Sequence, residues 1–303
     1  MDVYFLYRIG YFLANSLSLK LSYRLASFFA CLCYAANNRD SRAVIKNLET
    51  IAGGRMDARS SRKMAGALYR NFAKYLVDFF RFSKMDGEYI KKIVKIEGRE
   101  NIDMALANGK GVIMMAGHIG NWELGGSVVA VMGYPISAVV LPHRNKKIDA
   151  FFRNQRLIGR FTSIDIGAAV KECYRVLRAN ELLALLGDRD FTKNGLTLDF
   201  FGKSTLFPKG PAAFSYRLGS AIIPTLIVRQ PDDTFLMTFE APIYADRKKP
   251  EDEAVLETCA RCAAIIESYV RRYPTQWYVF RDMWSKDEPA LPKERGTGKG
   301  RAR

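Results

Sequence analysis

Apolar residues follow two different rhythms in this chain. Between residues 40 and 89 they recur at spacings of three and four, in SRAVIKNLETI (41–51) and again in SRKMAGALYRNFAKYLVDFFRFSKM (61–85), where Leu68, Phe72, Tyr75, Leu76 and Phe79 share one side of a helix. Arg62, Lys63, Arg70 and Lys74 lie among them, giving the helix an apolar face and a basic remainder. It can pack on a sheet, on the segment before it, or along a lipid surface. Beyond residue 90 the rhythm changes. A short charged strand, KKIVKIEG (91–98), precedes the continuous apolar runs GVIMMAG (111–117), YPISAVVL (134–141), ELLALLG (181–187) and SAIIPTLIVR (220–229), with a helix starting near Asn121, an amphipathic segment at 147–160 and a helix at 209–218. Runs that are apolar on both faces and separated by helices predict the buried strands of a mainly parallel sheet. Residues 234–241 add a strand at an edge, and 251–274 form a long helix ended by Pro274. The expectation is an α/β fold: a mainly parallel central sheet flanked by helices over 91–290, a helical extension over 1–90, and a disordered basic tail over 291–303.

The first 38 residues read MDVYFLYRIGYFLANSLSLKLSYRLASFFACLCYAANN, and charges at Arg8, Lys20 and Arg24 divide them into uncharged stretches of 11 and 14 residues. Both fall short of the roughly 20 residues that cross a bilayer core. Asp2 stands where a secretory signal needs basic charge, and no small-residue cleavage site follows. One or two aromatic helices with basic residues between them match a segment lying in a membrane interface. A hairpin packed on the rest of the chain, or a shallow span over 25–38 with Arg24 and Arg39 snorkelling, stays open.

Composition narrows the partners. The 303 residues are 49% hydrophobic and 26% charged, an ordinary globular balance that excludes disorder and repeat architectures. Lys and Arg number 47 against 31 Asp and Glu, a formal charge of +16 that calls for something anionic: nucleic acid, a phosphorylated metabolite, an acidic carrier protein or a lipid headgroup. Nucleic acid fits worst, because the basic residues are dispersed and no helix-turn-helix, zinc-finger or RRM signature organises them. Cysteines at 31, 33, 173, 259 and 262 are too few and too oddly placed for a disulfide framework, which implies a reducing compartment.

Only two histidines exist, so each carries weight. His118 stands in AGHIGNWELGG, just past an apolar strand and before a helix, and the carboxyl ends of parallel strands are where α/β folds place their sites. With His118 in the loop and Glu123 in the first helical turn, the carboxylate can hold one imidazole nitrogen and leave the other to take a proton. A histidine that merely caps the helix is the alternative. Metal chemistry has little support: there is no HExxH, and Cys259 and Cys262 lie inside a helical pattern without a second pair. A G-x-S-x-G elbow, a P-loop and a dinucleotide fingerprint are also missing. What remains for a loop histidine with a carboxylate is direct, base-assisted transfer to a hydroxyl.

A second informative stretch is LLGDRDFTKNGLTLDFFGKSTLFPKGPAAF (185–214). Asp188, Arg189 and Asp190 end a strand at the same sheet edge and can converge with His118. Phe200 and Phe201 offer an aromatic wall, while Lys203, Lys209 and the helix opening at Pro208 to Pro211 supply charge and free N–H groups suited to a phosphate. Arg144, at the end of strand 134–141, and Arg156 join Arg189 as forked donors for phosphate oxygens. Asn121 completes the candidate substrate-binding set. His143 has no carboxylate beside it and reads as a surface residue or one standing behind the site.

HIGNWE (118–123), GDRDFTKNGLTLDFFG (187–202) and PTQWYVFRDMW (274–284), taken together, resemble the bacterial lipid A biosynthesis lauroyl/myristoyl acyltransferase family, which also includes phosphatidylinositol mannoside acyltransferases. The likeness runs from about residue 5 to 290. It implies a glycerolipid-acyltransferase-like fold and transfer of a fatty acyl group from an acyl carrier protein or coenzyme A thioester to a hydroxyl of a membrane glycolipid, a lipid A precursor foremost. The alternatives are phosphatidylinositol mannoside, a lysophospholipid or another lipid. It further implies work at the cytoplasmic face of the inner membrane, on an anionic surface, with no bound cofactor or metal. By the same likeness His118 falls on the family's base, Glu123 on its acidic partner, Asp188 on a second acidic position, Phe200-Phe201-Gly202 on an aromatic-glycine turn and Arg144 on a basic position. The closing motif departs: Arg281, Asp282 and Met283 follow where members acting on lipid A often carry a histidine and two arginines. That departure weakens the case for a lipid A acceptor and leaves the catalytic pair untouched.

Overall fold

The computed structural model describes residues 3–36, 38–191 and 194–285. Five helices come first: α1 (Val3–Ser16), α2 (Leu19–Ala35), α3 (Arg39–Ile51), α4 (Ala58–Phe80) and α5 (Gly87–Ile93). Side-chain oxygens of Ser18, Asn38, Asp57 and Asp86 accept from backbone N–H groups at the starts of α2 to α5, which is why the chain breaks into separate helices there. Strands and helices then alternate through β1 (Val94–Glu97), α6 (Arg99–Leu106), β2 (Val112–Ala116), α7 (Trp122–Val131), β3 (Ile136–Val140), α8 (Lys146–Ile158), β4 (Thr162–Asp165), α9 (Ala169–Arg178) and β5 (Leu182–Leu186). A hairpin of β6 (Leu196–Phe200) and β7 (Lys203–Phe207) follows, then α10 (Gly210–Leu218), β8 (Ala221–Arg229), β9 (Phe235–Phe239) and α11 (Glu251–Arg272).

Seven strands make one sheet in the order β1-β9-β8-β2-β5-β3-β4, parallel at every pairing except β8 with β9. Both faces are covered, and the alternation along β2 shows how: Ile113 and Met115 join one core with Leu48, Leu68 and Ile266, while Val112 and Met114 join the other with Phe79, Val128 and Phe152. Such double burial explains why the strands read as unbroken apolar runs. Residues α1 and α2 contribute Ala14, Tyr23 and Ala30 to these cores and leave Phe5, Phe12, Phe28 and Phe29 exposed by half or more. No helix is long and apolar enough, among the described residues, to cross a membrane.

Three expectations are corrected. The strand at 234–241 is not at an edge: β9 has β8 on one side and β1 on the other, so β1 and β4 are the edges. Helix α5 runs on through Ile93 and takes the first part of the strand expected at 91–98. Strand β4, TSID, was not foreseen, because it buries Ile164 alone and shows no apolar run. The basic tail over 291–303 lies outside the described residues.

The turn after β2 depends on one glycine. Gly120 has φ +65°, and a Cβ there would stand 1.9 Å from the Ile227 carbonyl oxygen, whereas Gly133, at φ +95°, faces open space. Gly133→Ala is expected to cost about 1–2 kcal/mol for its left-handed backbone alone. Gly120→Ala adds a backbone collision and should cost clearly more, as denaturant unfolding of the two variants will read; equal costs would show that the loop can shift aside.

Candidate active site

Register builds the site. Strands β2 and β5 pair in parallel with Ala116 opposite Leu186, so the second residue past each strand, His118 and Asp188, meets at the sheet's carboxyl edge. Asp188 is wholly buried and accepts three hydrogen bonds: the His118 backbone N–H at 2.9 Å, the His118 ring at Nδ1 at 2.7 Å, and Trp277 Nε1–H at 3.0 Å. Burial pushes its carboxyl up, but the His118 charge and the hydrogen bonds outweigh that and hold it below the ordinary carboxylate range. An ionised Asp188 therefore accepts from Nδ1–H and fixes the tautomer whose lone pair is on Nε2. Its stabilising contribution is present above the ordinary carboxylate range and is lost only as pH falls through the lowered value.

Here the structure corrects the expected pairing. Glu123 does stand in the first turn of α7, capped by Asn121, but its carboxylate is taken by Arg156 of α8, with Nε at 2.9 Å from Oε2 and Nη2 at 2.6 Å from Oε1. Burial works against the Arg156 charge and Glu123 more than offsets it, holding the guanidinium above its ordinary range. The carboxylate that grips the imidazole is the one seventy residues away. His118, Glu123 and Arg156 line one cavity of about 620 Å³, with Asp188 buried behind His118; its wall is mainly apolar and includes Met114, Ala138, Val129 and Phe161.

Two consecutive glycines lie on the wall of that cavity. Gly125 and Gly126 lie inside α7, where each costs about 1 kcal/mol relative to alanine. A Cβ on Gly125 would stand 3.1 Å from Ile227 Cγ2, and one on Gly126 3.3 Å from the Phe161 ring. At these two positions the missing side chains let α7 approach Ile227 and Phe161 closely.

The other candidates divide. Arg189 lines the cavity with its guanidinium over the Phe191 ring, 4.7 Å from the centroid, and Lys209 lines it at the start of α10. Asp190 is buried and accepts the Gly195 N–H at 3.1 Å. Arg144 is exposed and off the cavity wall. Asn121 is also off it: Oδ1 accepts from Leu124 N–H and Nδ2 donates to Asp78, so its amide is spent inside the protein. Phe200, Phe201 and Lys203 belong elsewhere. Phe200 packs on Phe207 and Trp277, Phe201 N–H donates to Glu267 at 2.8 Å, and Lys203 lies over Trp284 and donates to Thr50. Their hairpin folds against α11 and the C-terminal segment, which keeps it off the cavity.

Two residues that sequence reasoning undervalued enter instead. Trp277 is 1% exposed, and a buried indole needs an acceptor for its N–H, a signal present in PTQWYVFRDMW but without an address. His143, read as a surface residue or one standing behind the site, is exposed and also on the cavity wall, its ring 4.5 Å from the Phe152 ring, where partial burial and then Arg156 push its imidazole below its usual value. Cys259 and Cys262 are buried thiols pushed up to about 12, and among the described residues no three His, Cys, Asp or Glu side chains are grouped to hold a metal.

The chain is similar to known proteins over most of its length. The model of the bacterial lipid A biosynthesis acyltransferase family matches residues 1–286. Phosphatidylinositol mannoside acyltransferase of Mycolicibacterium smegmatis is 25% identical over 263 residues, covering 84% of this chain and 83% of its own. Its namesake from Mycobacterium tuberculosis H37Rv is 24% identical over 84% of this chain and 80% of its own. The lipid A biosynthesis palmitoleoyltransferase of Escherichia coli K12 is 24% identical over 78% of each.

The pairing of Glu123 with Arg156 predicts a stability effect. Glu123→Gln strands a buried guanidinium and should destabilise the fold by about 3 kcal/mol, and adding Arg156→Met should recover most of the loss. Thermal melts of the two variants decide; a single variant as stable as the parent would sink the ion-pair account.

Proposed function

Since this chain belongs to the bacterial lipid A biosynthesis acyltransferase family, we propose that it transfers a fatty acyl group from an acyl carrier protein or coenzyme A thioester to a hydroxyl of an anionic membrane glycolipid. The observation that carries this is the His118 to Asp188 hydrogen bond at the head of a deep apolar cavity. In this reading His118 is the base and Asp188 orients it. Nε2 takes the acceptor's hydroxyl proton as the oxygen attacks the thioester carbonyl carbon; the tetrahedral oxyanion collapses, the C–S bond breaks, and the leaving thiolate recovers the proton from the imidazolium. An ester and a free thiol result, with no acyl-enzyme. The acyl chain occupies the apolar cavity whose wall includes Gly125 and Gly126, while Arg189 and Lys209 at the wall meet phosphate oxygens of donor or acceptor. Glu123 and Arg156 support the wall as a neutral pair.

On the acceptor, the expectation of a lipid A precursor gives way. The phosphatidylinositol mannoside acyltransferases cover 84% of this chain against 78% for the Escherichia coli relative, and the C-terminal Arg281-Asp282-Met283 departs from the pattern expected of lipid A enzymes. These support a phosphatidylinositol-mannoside-like acceptor. Purified protein offered both acceptors with a long-chain thioester, alongside mass spectrometry of membrane lipids from a deletion strain, tests the choice; acylation of the lipid A precursor alone would reverse it.

The same reading puts the protein on a membrane surface. Val3, Phe5, Leu6, Ile9 and Phe12 of α1 and Leu21, Phe28, Phe29 and Leu32 of α2 are exposed, and the chain carries a charge of +16, which anionic headgroups attract. The inner leaflet's cytoplasmic face is the proposed location.

Two outcomes are expected. His118→Ala should still fold, less stably because buried Asp188 loses one of its three donors, and lose roughly a hundredfold or more in turnover, with Asp188→Asn also severe; acyl-transfer assays paired with circular dichroism check both, and near-parental rates in a folded His118→Ala would end the assignment. Full-length protein should float with anionic liposomes and resist release by high salt, because apolar insertion dominates, while a Phe12→Ser/Phe28→Ser/Phe29→Ser variant should float poorly. Full-length protein that stays soluble would refute the docking face.

A further inference from the structure

Tyr23 is a buried residue on a helix whose outer face is apolar. It is 6% exposed, and its hydroxyl donates to Asp78 Oδ1 and accepts from Arg229 Nη1 at 3.1 Å. Asp78, on α4, is 1% exposed; its Oδ2 accepts from Arg229 Nη2 and, at 2.9 Å, from Asn121 Nδ2. Asn121 caps α7 through Leu124 N–H at 3.1 Å and donates its own backbone N–H to the Ile227 carbonyl at 2.9 Å. It stands three residues after His118. Lys74 and Asp233 close the flank, paired at 2.6 Å, with Asp233 also 3.4 Å from Arg229.

The other side of the loop is held by the C-terminal segment. Gln276 accepts the Arg229 N–H at 2.9 Å and donates to the Arg229 carbonyl at 2.8 Å, while its own carbonyl takes the Gly120 N–H at 2.9 Å. Tyr278 N–H donates to the His118 carbonyl at 2.8 Å. Residues 118–121 thus hang between two buried supports, and one of them reaches α2 in two hydrogen-bonded steps. A buried ion pair is weak evidence of stabilisation, since well-packed apolar groups serve as well. Fixing the position of the loop is what apolar groups would not do for Asn121.

We infer that Tyr23 is a positioning residue for the reaction: acting through Asp78 and Asn121, it holds the loop that carries His118, so the N-terminal hairpin belongs to the catalytic apparatus as well as to the membrane contact. The inference rests on the proposed role of His118 and is separate from the docking proposal. Loss of the hydroxyl loosens the loop without removing any group that touches substrate.

The test uses full-length Tyr23→Phe, which keeps the ring, and Asn121→Ser, which keeps a capping oxygen but loses the donation to Asp78. Both should lower kcat by roughly tenfold or more with KM little changed, on a membrane acceptor and a water-soluble short-chain acceptor alike, and liposome flotation should not change. With two histidines in the chain, 15N-histidine labelling gives a direct readout: the His118 imidazole resonances should move and those of His143 should not. Parental kcat and unmoved His118 resonances in Tyr23→Phe would overturn the inference. So would loss confined to the membrane acceptor, which would make Tyr23 a docking residue, or equal shifts of both histidines with a lower melting temperature, which would mean general loosening. Full activity in His118→Ala, by contrast, overturns the proposed function itself.

Discussion

A single carboxylate sets the terms for the rest of this molecule. Asp188 has no exposed surface, yet it is held below the ordinary carboxylate range, and an ionised group out of water is tolerable only when its lone pairs are satisfied. Its three donors come from two distant parts of the chain: the loop after β2 supplies two and the segment after α11 supplies the third. Displacing any of them exposes the charge to an apolar interior. That requirement ties the C-terminal segment to the sheet edge and explains why the His118 imidazole is so firmly oriented in a loop.

The same requirement shows why the sequence disclosed the place and misassigned the partner. Strand ends are legible, since a run such as GVIMMAG followed by glycine, histidine and a helix cap states where the sheet's carboxyl edge lies. Pairing across strands is not. Glu123 is five residues from His118 and Asp188 is seventy, so a reading along the chain favours the near carboxylate until register places Ala116 beside Leu186. Arg156 was seen as a phosphate ligand for a related reason: on one helix it looks unpaired, and only the packing of α8 against α7 neutralises it. Phe200, Phe201 and Lys203 follow in sequence directly from a true site segment, but the β6–β7 hairpin turns them away toward α11.

Cavity and stability pull in opposite directions in α7. Two adjacent glycines in a helix interior weaken it, and the alternating cores on either side of the sheet show that close packing was available. The glycines let the helix sit close against Ile227 and Phe161, where a Cβ would be crowded, and both glycines lie on the wall of the cavity of about 620 Å³. An apolar void of that size is costly when empty and favourable when a hydrocarbon chain fills it. A long acyl group, the occupant proposed above, would turn a local weakness into a net gain and tie this helix to the site at its N-terminus.

The N-terminal hairpin resolves a similar conflict by dividing its surface. Outward, α1 and α2 expose phenylalanines and leucines that water does not favour; inward, α2 buries a hydroxyl in a charged cluster that reaches the site. Neither arrangement is the cheapest for a helix that only packs or only anchors. A helix that merely packs would bury the phenylalanines, and a detachable anchor would have no reason to place a polar group beside Asp78. The two features fit the proposed reading, in which one surface meets lipid and the other positions the loop that carries His118.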